Sequence, residues 1–193
     1  MPDSRGLAAL GMLGVAACSP NRPIAGGAPP GAPAADAHAS VAKRDPAIIA
    51  AKQLLAAIEN QPQLSRESLA ALVGTPLVHS ADVAPELHDY EARLGSGPFA
   101  RIEFREPNRE QTQGWQLIVL DVRPGVALPL DAFKGDLIPT TAPPRFDPPA
   151  PGAGGEAAMT FFVDRPHERT HFQFGATSRA LRQVAFHRGP RPD

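Results

Sequence analysis

The feature that most constrains this chain is a change of apolar period at Gly74-Thr75-Pro76. Before it, apolar residues recur every three to four positions; after it, they alternate. Upstream, Asp45 is a good N-cap and Pro46 suits the first helical position, with Ile48, Ala51, Leu55 and Ile58 forming one stripe and Pro62 as the stop. A second short helix is expected from about residue 65 to 73, capped by Ser65, with Leu64 packed on Leu69 and Gly74 in the left-handed position behind it.

Downstream, residues 99–105 (FARIEFR) place Ala100, Ile102 and Phe104 on one face and charged residues on the other, the pattern of a half-buried strand. Residues 115–122 (WQLIVLDV) are apolar on both sides, which predicts a central strand. Further strands are expected at 159–163, 169–174 and 181–187, the last two joined through the loop after Gly175. The predicted fold class is therefore α+β: two N-terminal helices packed on an antiparallel sheet of four to five strands.

Proline limits how much of the chain can join that core. Of 193 residues, 23 are proline, against roughly 5% in an average protein. One tract lies near the N-terminus. The other falls in a long insertion at about 123–156, whose second half, TTAPPRFDPPAPGAGG, reads as disordered or draped chain. Its first half, VALPLDAFKGDLI, suits an edge strand or a short helix. A loop of that length is expected to be functional or disordered, which makes it a candidate contact surface. The net charge of −1 offers no broad electrostatic footprint for nucleic acid.

The single cysteine, Cys18, rules out an intramolecular disulfide. It follows Arg5, an apolar run over 7–17, and small residues. That run has the length of a signal-peptide core and falls short of the roughly 20 residues of a spanning helix. Val15-Ala16-Ala17-Cys18 resembles the lipobox of bacterial lipoproteins. The resemblance implies a signal peptide over 1–17, removal at Cys18, and acylation of that cysteine as the lipid anchor to a membrane. Ser19 in place of Asp resembles the sorting pattern for the outer membrane, with the protein facing the periplasm. Residues 18–43, dominated by Ala, Pro and Gly, form a tether, and a folded domain is expected over 44–190. The stretch LSRESLAALVGTP, residues 64–76, resembles small outer-membrane-assembly lipoproteins of β-lactamase-inhibitor-protein-like fold. It implies helices against a sheet and a role as an accessory to envelope assembly.

One stretch bears on catalysis. His167-Glu168-Arg169-Thr170-His171 matches H-E-x-x-H, in which two histidines on one helical turn ligate zinc and the glutamate activates water. Here Thr170, Phe172 and Phe174 alternate with polar residues, and Pro166 immediately precedes the motif. A third-ligand pattern wants Gly and then His at fixed offsets after His171, but Gly175 falls one position late and Thr177 stands where the third histidine should be. The segment is therefore expected to be extended, with no catalytic residues, no metal site and no cofactor. The alternative is a zinc metallopeptidase with ligands His167 and His171 and Glu168 as base. His79, Asp82, Glu86 and His88 cluster in what reads as a solvated loop. The favoured function is a cell-envelope lipoprotein acting as a non-catalytic protein-binding module, of envelope-assembly or toxin-immunity type. Its partners would be the membrane, reached through Cys18, and another envelope or periplasmic protein, with no nucleic acid.

Overall fold

A computed structural model describes residues 45–61, 64–84, 87–107, 115–148 and 155–189, with the side chains of 81–84 excepted. The expected signal peptide, Cys18 and the tether lie outside the described residues, as do residues 108–114, 149–154 and the last four.

Helix α1 spans Pro46–Glu59. The Asp45 carboxylate accepts a hydrogen bond from the Ala47 amide at 2.8 Å, satisfying a donor that the first turn leaves unpaired. Ile48, Ala51, Leu55 and Ile58 are all buried. Helix α2 spans Arg66–Val73. Ser65 and Ser68 cap it reciprocally, and Gly74 ends it at φ 67°, where a side chain would be strained.

The predicted sheet of four to five strands is wrong. Eight strands form one antiparallel sheet: β1 (Val78–Ala84), β2 (Leu87–Arg93), β3 (Phe99–Pro107), β4 (Gln116–Val122), β5 (Pro144–Asp147), β6 (Ala158–Arg165), β7 (Glu168–Gly175) and β8 (Leu181–Arg188). Their spatial order is β1-β2-β3-β4-β8-β7-β6-β5. Two four-stranded meanders thus meet at β4 and β8 in the middle of the sheet, so the dominant element is a broad sheet and the helices are minor.

Three strands account for the correction. β1 and β2 occupy the stretch read as a solvated loop. β5 occupies four residues of the stretch read as disordered, with Pro144 at its first position, a place where a strand tolerates proline.

The topology explains the long insertion. β5 pairs with β6 at the far edge, so the chain leaving the central β4 must cross β8, β7 and β6 to reach it. It does so across the apolar face of the sheet. Leu130 donates its amide to the Arg179 carbonyl at 2.9 Å, and Leu181 donates to Leu128 at 2.8 Å. A 3-10 turn at Leu130–Ala132 follows, and Leu128, Leu130, Phe133 and Ile138 are buried in the main core. The first half of the insertion is therefore core-forming crossover and not a free contact loop.

The two sheet faces differ in kind. Ile102, Phe104, Ile118, Leu120, Val184, Phe186, Phe172 and Phe161 share one core with α1, α2 and the crossover. Gln116 ties this face to the interhelix segment by donating to the Leu64 carbonyl at 2.6 Å. The opposite face carries charge at one end. On β2, β3 and β4, Arg101 reaches Glu91 at 3.6 Å and Asp121 at 3.8 Å, and pairs with Glu103. Arg105 reaches Asp89 at 3.5 Å and also pairs with Glu103. At the other end, on β6, β7 and β8, the same face carries aromatic and imidazole rings.

Candidate functional site: a cleft at the β6–β7 turn

The strand parity of β7 decides what the HERTH stretch does. Pro166 and His167 form the turn between β6 and β7, and Glu168 begins β7. Residues 168 and 171 are separated by three steps of pleated backbone, roughly 10 Å at about 3.3 Å each, and an odd spacing sends their side chains to opposite faces. Glu168 points to the helix side and His171 to the other. Such a strand does not gather the motif's two histidines and its glutamate around one point, which is what the metallopeptidase alternative requires. Among the described residues, no three His, Cys, Asp or Glu side chains are grouped as a metal site.

Glu168 belongs to a buried ion network. It accepts from Arg188 Nε at 2.8 Å and from the Thr170 hydroxyl at 3.0 Å. Arg188 also donates to the carbonyls of Ile58 and Gln61 at the end of α1. Arg165 pairs with Glu59 at 2.8 Å and donates to the Thr170 hydroxyl at 3.0 Å. Two carboxylates and two guanidiniums thus balance in a space where one unpaired charge would be costly. Burial pushes the Glu59 carboxyl above its usual range, Arg165 opposes that shift, and Glu168 adds to it.

His171 has a different set of neighbours. Its ring lies 4.5 Å from Phe162 and 4.4 Å from His187, centroid to centroid. The register sets this up. β7 pairs with β8 so that His171 faces Ala185 and Arg169 faces His187, which brings His171 and His187 together as diagonal neighbours on one face. On the other side, β6 pairs Phe162 with His171 and Asp164 with Arg169. Arg169 donates to both oxygens of Asp164 and lies 5.9 Å from the Phe162 ring. Burial holds the His171 imidazole down to about pH 4, helped by His187 and Arg169 and opposed by Asp164. His187 is lowered by burial and by Arg169. Both rings are therefore neutral at pH 7.

A cleft of about 880 Å³ opens here, lined by Trp115, Phe162, Pro166, His167, His171 and His187, and reaching Arg165, Glu168 and Arg188 at the strand ends. It combines an apolar wall, two neutral imidazoles and a guanidinium, a mixture suited to holding an amphipathic group. The sequence reading named His167, Glu168 and His171 but joined them along the chain. It singles out none of Phe162, Trp115 and His187. The available signal lay in the outward-facing positions of three expected strands: 162, then 169 and 171, then 187.

A second pair of imidazoles lies far along the sheet. His79 and His88, on β1 and β2, have ring centroids 5.7 Å apart and flank Tyr90, whose ring is also covered by Arg66 at 4.9 Å. Of the four residues grouped by sequence, these two are brought together; the side chains of Asp82 and Glu86 are outside the described set. Compared with known protein families, curated proteins and solved structures, the chain matches none.

Proposed function

We propose that this chain is a cell-envelope lipoprotein whose folded part is a non-catalytic protein-binding module, anchored through Cys18 to the outer membrane and facing the periplasm. The observation that carries the binding role is the sheet face opposite the helices. Both helices and the crossover lie on one side, and the other side offers a cleft with aromatic and imidazole groups and the Arg169 guanidinium. Aromatic and arginine side chains are enriched where proteins bind proteins. This face replaces the long insertion as the contact surface, because burial of Leu130, Phe133 and Ile138 commits the insertion's first half to the core.

Support for the anchor comes from sequence: Val15-Ala16-Ala17-Cys18 behind a short apolar run, then an Ala/Pro/Gly tether. More than one acyl chain gives stable attachment where a single chain is marginal. No helix among the described residues is long and apolar enough to cross a membrane. The partner is another envelope or periplasmic protein, as an assembly accessory or a bound toxin would be.

Two measurements test this reading. Cys18→Ser should abolish palmitate incorporation and move the protein out of the membrane fraction; unchanged membrane attachment would refute the anchor. A photo-crosslinking residue at position 162 should give a discrete protein adduct in intact cells, and one at Ile49, exposed on α1, should not. Equal labelling at both positions would refute the choice of face.

A further inference from the structure

We propose that His171 and His187 form a two-imidazole site for a divalent transition-metal ion, with Cu2+ preferred over Zn2+. The pair lies on adjacent strands in the interior of the sheet, where pairing to β6 and β4 on either side fixes their separation. Their centroids are 4.4 Å apart and their planes tilted by 33°. Small rotations about the side-chain torsions bring one nitrogen of each ring to about 2.0–2.1 Å from a shared ion.

Two conditions for ligation are met. The donors are close and held by rigid backbone, so little ordering entropy remains to be lost on binding. No group among the described residues hydrogen-bonds either ring, so a nitrogen lone pair is open on each. Arg169 is the unfavourable neighbour, and its charge is offset by Asp164, which it contacts through both oxygens. The remaining coordination positions face the cleft and are left for water or a donor from a bound molecule. Imidazole suits Cu2+ and Zn2+, and the general order of divalent affinities places Cu2+ higher. The HERTH motif thus contributes one metal ligand, His171, whose partner lies across the sheet. The site does not depend on whether Cys18 is acylated.

The test uses the full chain carrying Cys18→Ser, so that no thiol competes. Cu2+ is titrated at pH 7 by calorimetry and followed by electron paramagnetic resonance. One binding event with two equatorial imidazole nitrogens is expected. It should weaken by on the order of tenfold or more in both His171→Gln and His187→Gln, since even outer-shell substitutions cost that much. It should persist in His88→Gln. Unchanged affinity in either of the first two variants overturns the proposal. The Cys18→Ser parent is decisive even if both variants misfold, because absence of a two-imidazole signal in it overturns the proposal. With one equivalent of Zn2+, the ring proton resonances of His171 and His187 should shift together; a shift confined to His79 and His88 would overturn it too.

Discussion

Arg188 Nε donates to Glu168 Oε2 at 2.8 Å in a buried pair that joins β8 to β7, while the same guanidinium holds the Ile58 and Gln61 carbonyls where α1 ends. One side chain therefore fixes the helix against the sheet. The glutamate that could pass for a catalytic base is the anion that makes this possible.

Removing that anion should cost stability. Glu168→Gln leaves Arg188, only 4% exposed, without its countercharge. Breaking a buried pair from one side costs about 3 kcal/mol or more. Urea unfolding should show a loss of that size, and Arg188→Met combined with Glu168→Leu should recover part of it. Full stability in Glu168→Gln would show that the network has another source of compensation.

The crossover should behave as core. Phe133 is fully buried and its ring lies 6.2 Å from Phe174, edge on. Phe133→Ala should destabilise by about 3–5 kcal/mol, the range for large-to-small changes at filled sites. Thermal unfolding of the variant checks this; a change within about 0.5 kcal/mol, the size of a surface substitution, would return the insertion to the status of a draped loop.

The loop between β7 and β8 is built on Glu156. Its carboxylate accepts from the amides of Thr177 and Ser178 at 2.6 and 2.8 Å, from the Ser178 hydroxyl, and from Arg182. These bonds, Ser178's foremost, hold its carboxyl down to about 2. A Cβ at Gly175 would collide with this carboxylate and with the Ser178 hydroxyl. Gly175→Ala should therefore destabilise by about 1–3 kcal/mol, as overpacking does. In a double-mutant cycle, Gly175→Ala and Glu156→Gln should together cost less than the sum of the two alone. Strict additivity would contradict the contact. Because the folded carboxyl is the stronger acid, its contribution is complete above about pH 4.5 and fades as pH falls towards 2.

His171 should make the fold acid-sensitive at milder pH. Unfolded, its ring takes up a proton near pH 6.5; folded, it does so only near pH 4. Between those values the unfolded state binds more protons, so stability present above about pH 6.5 is lost as pH falls towards 4. The urea midpoint of the parent should drop more steeply across that window than that of His171→Gln. Parallel profiles would mean that the ring is solvated in the native state.

Much of the local structure was legible in the sequence. Asp45-Pro46 and the stripe to Ile58 specify α1, and Ser65 with Gly74 bounds α2, because caps and helical spacing act within a few residues. Strict alternation marked the strands at 99–105 and 169–174. β1 gave no such signal; in β2, Tyr90 and Ala92 do alternate with Asp89, Glu91 and Arg93, but a run so short and so charged reads equally as loop. The charged positions of β2 are satisfied by another strand: Asp89 and Glu91 find Arg105 and Arg101 on β3. β5 was hidden by proline, which an edge strand accepts where a central one would not.

The sequence by itself determined the helix ends, the buried faces of the long strands and the extended course of residues 169–174, since each depends on contacts a turn or a pleat away. Only the tertiary structure decided that eight strands share one sheet, that the insertion is a crossover, and that His171 meets His187 and not His167. Those outcomes depend on which strands lie side by side and in what register, and that is fixed by burial summed over the whole sheet.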